Sequence, residues 1–420
     1  MSLAVPPFPP SGAFVSSITD SSRLLCEKSN IAISDAAIDR LLLSPAFTQT
    51  FTRVSAQHGL AFPLAYPSPL SELNLLCTLS LLNFASGYRA PLHAAAGRGA
   101  WDSIRSLVLG LYLAGATNTH TEPLGAAGMK GISEAIVAEW LRVPTHIERP
   151  HPTLHGVMVG EPGPLAELVT LITDTLNETG DVLVKGGYPD LGSFVLEALK
   201  EGERVKSAEH PGRDLDTVLE RLVRAFPAFR DMALIDGQPI YIFKKALFLI
   251  HALALRFPSS SSSPFPIPDT TGVPVFADNV LPSLLVQLGV IDLSASALSS
   301  IFPQPDPALL EAFLPATPAL PKDGAEAKDK TAVADGPVLS ESSAYILRAA
   351  AVDACERIVA RARTIPLDPE SDESQNEKGE LGWIRELTRP ALDMWLWRVA
   401  KDRADYRALG RFVLKGTVFF

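Results

Sequence analysis

The sequence predicts a mainly α protein, a single helical domain with minor short β elements. Three observations predict it. Apolar residues recur at the i, i+3, i+4 spacing of a helix through most of the chain, while strand-like alternation is confined to two short stretches. Helices of the same character continue on both sides of every low-complexity segment, so no segment marks a convincing domain boundary.

Taken in order, residues 1–20 open with Met-Ser-Leu-Ala-Val-Pro-Pro-Phe-Pro-Pro and read as a flexible Pro-rich tail. They lack the basic start and long apolar stretch of a signal peptide. The helical domain is expected over 21–420. Ser34-Asp35 caps a helix whose inner face carries Ile38, Leu41 and Leu42. Leu70 to Phe84 is apolar nearly all round, as in a buried helix, and Gly87 reads as its C-cap. Trp101–Leu113, Leu165–Leu176, Leu215–Phe226, Lys244–Leu255, Val280–Leu288 and Ser343–Arg363 repeat the helical period. Pro239–Phe243 after Asp236-Gly237 reads as a hairpin arm, and Thr417–Phe420 as a terminal strand. Loop insertions are expected near 257–270, where five serines stand between prolines, near 317–340 and near 366–380.

Composition excludes several function classes. The net charge is -10 and no basic run is present, which disfavours a polynucleotide partner. The three cysteines, Cys26, Cys77 and Cys355, are scattered and form no CxxC pair. With no HExxH among the eight histidines, no metal site is expected, and a reducing, cytoplasmic location is the default; mitochondrial or nuclear pools remain open. No apolar run is long enough to span a bilayer. No P-loop, GxSxG elbow or dinucleotide fingerprint occurs.

Four segments bear residues suited to chemistry, one of them the polar cluster Leu82–Arg89 where an apolar helix ends in a Gly-containing turn, which also reads as a plain C-cap at Gly87. Phe276-Ala277-Asp278 precedes the helix at Val280, so that Asp278 can accept hydrogen bonds from a flat heterocycle stacked on Phe276. The same residues also suit an N-cap by Asp278 or Asn279 with Phe276 as a hydrophobic staple. Asp393 lies in the Trp-rich apolar segment Leu392–Trp397, where burial would raise its pKa, unless it caps the helix after Pro390 or faces solvent. Arg230, Lys244 and Lys245 stand beside aromatics and can hold a phosphate, or can instead pair with neighbours and solvate a helix end. His58 stands alone, which usually means a structural histidine.

In order, Leu82-Asn83-Phe84, Thr175–Gly180, Phe226–Asp231, Phe243–Ala246, Phe276-Ala277-Asp278 with Leu288-Gly289, and Leu392-Asp393 with Leu396-Trp397 resemble the queuosine 5'-phosphate N-glycosylase (queuosine salvage) family. Each piece is short, and their order and spacing carry the resemblance. It implies a helical fold like that of the helix-hairpin-helix DNA glycosylases, acting on queuosine 5'-monophosphate without cofactor and releasing queuine for tRNA modification. It implies a catalytic Asp393 and a base pocket of Phe276, Asp278, His58, Met394 and Arg398. The chain departs from the family pattern at Arg398, where members often carry an acid. A carboxylate at Asp393 would stabilise the oxocarbenium-like ribose that forms as the C1'–N bond breaks. The competing readings are a catalytically silent deazaguanine-nucleotide-binding protein and a polynucleotide glycosylase; the latter would need a basic groove and a wedge residue.

Overall fold

The computed structural model describes residues 3–55, 59–60, 62, 64–117, 122–257, 263–302, 305–316, 335–365 and 381–420. The chain is mainly helical. It divides into two compact units, one of Met1–Ala61, Met232–Leu247 and Asp269–Val413, the other of Phe62–Asp231, Phe248–Pro268 and Leu414–Phe420.

The first unit is built around the helix Glu341–Thr364. Ser340 caps it, its hydroxyl accepting from the Ser343 N–H at 3.1 Å. Its alanines, Ala349, Ala350, Ala351 and Ala354, are all buried, and the helix Phe14–Lys28 packs against it. Phe14–Lys28 begins inside the stretch read as a Pro-rich tail. Phe14 and Ile18, one turn apart, are fully buried, and the Ala4 carbonyl accepts from the Leu234 N–H at 2.8 Å. The helix Asp35–Leu42 starts at the expected cap, Ser34 accepting from Ala37 at 3.2 Å. It is tied to the central helix by a bidentate pair, Arg361 to Asp39 at 2.7 and 2.6 Å.

Strands Met232–Ile235 and Gln238–Tyr241 form the expected hairpin. Asp236 and Gly237 both adopt positive φ, +47° and +78°, which gives a two-residue turn the twist it needs. The terminal strand is not where the sequence suggested. Arg411–Val413 pairs in parallel with Asp335–Val338, whereas Thr417–Phe420 forms no strand. Gly416 is left-handed, at +71°, and the Phe419 N–H turns back onto the Thr417 hydroxyl.

In the second unit the helix Pro69–Leu81 is buried all round from Glu72 to Leu81. The helices Ala100–Thr117, Ala166–Gly186 and Arg213–Ala225 match the expected segments Trp101–Leu113, Leu165–Leu176 and Leu215–Phe226, with Leu165 and Phe226 falling at caps, and Leu191–Val205 adds a helix that Asp190 caps. Two glycines permit close crossings. A Cβ on Gly180 would stand 2.2 Å from the Lys130 nitrogen, and one on Gly192 would stand 2.8 Å from the Asn74 backbone. Gly87 is not a helix C-cap. The helix ends at Leu82, Ala85 takes the left-handed conformation, and Gly87 lies against the Leu414 carbonyl, where any side chain would collide. The hairpin His146–Pro150 with Met158–Pro162 escaped the sequence because it is exposed on almost every residue and so shows no alternation. The serine run at 258–262 and most of the two longer insertions lie outside the described residues.

Candidate functional site

The first unit assembles a buried polar centre from three separate pieces of sequence. The helix Arg389–Asp402 supplies Asp393. Thr388 caps this helix and Pro390 occupies its first turn, where a missing N–H costs nothing. Trp395 anchors it: the ring is fully buried, its Nε1 donates to the Thr50 hydroxyl at 2.8 Å, and Phe47 meets it edge-on at 4.8 Å between centroids. Arg389 pairs with Glu356 of the central helix at 2.5 Å and donates to the Gly272 carbonyl at 3.2 Å. The start of the helix is therefore fixed to the segment that leads to Phe276.

With Trp395 and Leu396 directed into the core, Asp393 goes with them and is 6% exposed. The Phe276 backbone N–H donates to its Oδ2 at 2.7 Å. Burial pushes the carboxyl up from its ordinary 3.8 to about 8; the Asp278 charge adds to the rise, while the Phe276 N–H and the Lys244 ammonium oppose it. The fully buried Cys355 thiol also lies in reach of this charge and is itself raised, mainly by burial.

The second piece is Val275–Asn279, every residue of which is buried. Asp278 does contribute to a helix start, since its Oδ1 accepts from the Val280 N–H at 2.6 Å. No hydrogen bond reaches its Oδ2 among the described residues. The cap reading and the recognition reading thus use different oxygens of one carboxylate. Asn279 makes no cap; its Nδ2 donates to the Phe412 carbonyl at 2.9 Å, joining the loop to the terminal strand.

The third piece is the start of the helix Lys244–Arg256. Lys244 and Lys245 are both buried and do not solvate a helix end. Lys244 bears on Asp393 electrostatically. Two ammonium groups in the first turn oppose the helix dipole, and burial adds a desolvation cost. The preceding Phe243 is fully buried with φ at +47°, a strained conformation for an aromatic residue.

Phe276, Asp278, Asp393 and Lys244 therefore come together. Met394 and Arg398 share the Asp393 helix and are half-buried; the Arg398 charge bears on Asp402, which pairs bidentately with Arg53. Arg230 belongs to the second unit. There its guanidinium closes the end of the helix Arg213–Ala225, donating to the Val223 carbonyl at 3.1 Å and the Arg224 carbonyl at 2.7 Å. His58 lies outside the described residues. Arg348, Glu356 and Arg389 support the centre and were missed in the sequence. Arg348 had a legible signal, an arginine inside the apolar run Ala344–Ala351. Among the described residues no three His, Cys, Asp or Glu side chains are grouped to hold a metal ion, and no helix is long and apolar enough to cross a membrane.

The arrangement places an acid of raised pKa, a second carboxylate, a cation and an aromatic ring in one buried centre. Comparison with known proteins covers two of these three pieces of sequence. The family model described as queuosine salvage protein matches residues 164–304, which hold Arg230, Lys244, Lys245, Phe276 and Asp278. The chain is similar to the queuosine salvage proteins. A mouse (Mus musculus) protein named queuosine 5'-phosphate N-glycosylase/hydrolase is 29% identical over 126 residues. That match covers 30% of this chain and 33% of the mouse protein. Asp393 lies beyond the salvage-family match, and its placement beside Phe276 comes from the fold.

Proposed function

We propose that this protein hydrolyses the N-glycosidic bond of queuosine 5'-monophosphate and releases queuine. The observation that carries the proposal is the buried contact between Asp393 and the Phe276 N–H, with Asp278 and Lys244 acting on the same carboxyl. A catalytic carboxylate and a base-reading loop need to be neighbours for this reaction, and residues 117 apart in sequence are joined here.

In this reading Phe276 stacks on the deazaguanine ring and the Asp278 Oδ2 accepts from N–H donors on its pairing edge. Lys244 and Lys245, buried in the first turn of their helix, hold the monophosphate. His58, Met394 and Arg398 complete the base pocket in this reading, and Arg230, which closes the end of the helix Arg213–Ala225 in the second unit, is left out of the phosphate site. Asp393, ionised, stabilises the positive charge that develops at C1' and orients the attacking water. A likeness to the helix-hairpin-helix DNA glycosylases belongs to the same proposal.

The test is chromatographic detection of queuine after incubation of the full chain with queuosine 5'-monophosphate, beside D393A. Queuine from the wild type alone supports the reading. Queuine from both proteins removes Asp393 from catalysis. Intact substrate in both, with base binding detected by calorimetry, replaces the reading with a silent binding protein.

A further inference from the structure

Arg348 lies on the central helix Glu341–Thr364 and is fully buried. A guanidinium taken out of water is tolerated where its N–H groups find acceptors and its flat face finds a ring. Its Nε donates to the Ala277 carbonyl at 2.8 Å, and its central carbon sits 5.4 Å from the centre of the Tyr345 ring. Ala277 stands between Phe276 and Asp278. The dipeptide is thus held at both ends: the Phe276 N–H by Asp393 at 2.7 Å, the Ala277 oxygen by Arg348. Because the peptide unit is planar, fixing the Ala277 oxygen also fixes the direction from which the Asp278 backbone departs.

We infer that Arg348 is a positioning residue for base recognition, which orients Phe276 and Asp278 together through the Ala277 carbonyl. The inference rests on the function proposed above for the loop, but its geometry does not. Arg348 acts without touching the substrate. The helix that carries it also carries Cys355 and Glu356, so the base-reading loop and the Asp393 helix share one support.

Two substitutions isolate the hydrogen bond from the charge. In R348Q the amide nitrogen occupies the place of Nε, one bond beyond Cδ, and keeps a donor for Ala277. R348M has similar reach and no donor. Both remove the charge. With queuosine 5'-monophosphate as substrate, R348M is expected to raise KM by about tenfold with kcat little changed, and R348Q to stay within about threefold of wild type. Hydrogen–deuterium exchange of the peptide covering residues 273–280 is expected to speed up in R348M and not in R348Q, with the helix Glu341–Thr364 protected in both. If the wild type releases no queuine, the proposed function fails while exchange still decides the role of Arg348. Equal loop exchange in the two variants overturns the inference, as does equal KM from an active wild type, even if R348M alone melts lower.

Discussion

Asp393 should make the protein less stable as pH rises, and D393N should remove that dependence. The folded-state pKa, about 8, is raised above the ordinary 3.8 of the unfolded chain. Between those values the folded state holds a proton that the unfolded state has lost, so stability falls with increasing pH. The slope for one group approaches 1.4 kcal/mol per pH unit, which accumulates to about 4 kcal/mol by pH 7 as an upper bound. Asparagine has the same shape, accepts from the Phe276 N–H and never ionises. Its other effects, such as a new N–H pair to satisfy, are constant with pH. The Tm difference between D393N and wild type should therefore widen in favour of the variant between pH 5 and pH 7. At about 2–4 °C per kcal/mol for a unit of this size, the widening is about 5–10 °C. Thermal melts of both proteins at pH 5, 6, 7 and 8 measure it. A Tm difference that stays constant with pH would refute the argument that burial holds Asp393 protonated.

The same carboxyl sets the expected pH–rate profile. If Asp393 works ionised, kcat/KM rises about tenfold per pH unit up to about pH 8, and K244M, which removes a charge favouring ionisation, moves that limb to higher pH; a rate that falls over this range would assign Asp393 to the protonated form. F276A should raise KM for queuosine 5'-monophosphate about tenfold through lost stacking, while unchanged kinetics would place the base elsewhere. G180A should destabilise the protein by about 1–3 kcal/mol in denaturant titration, because its Cβ meets the Lys130 nitrogen and Ala126 oxygen of a neighbouring helix, which cannot rotate away. A denaturation midpoint equal to wild type would show that these helices move apart freely.

The sequence by itself determined the helical class and most helices, since their faces repeat along the chain and their caps are local. Ser34 and the Asp236-Gly237 turn were legible for that reason: each works within a few residues of itself. It also marked Asp393 and Phe276-Ala277-Asp278 as unusual, one by its apolar surroundings and the other by an acid set beside an aromatic just before a helix, and the resemblance covered both. The tertiary structure alone decided what depends on distant pairing. It showed that one oxygen of Asp278 serves the helix while the other does not, and that Lys244 and Lys245 are buried. The exposed hairpin at His146–Pro162 left no hydrophobic pattern, and the parallel pairing of Arg411–Val413 joins segments 76 residues apart at Asp335 and Arg411. Arg348 is the clearest case. An arginine in an apolar helix is visible in the sequence, but the Ala277 carbonyl that it holds is 71 residues away, and only folding brings the two together.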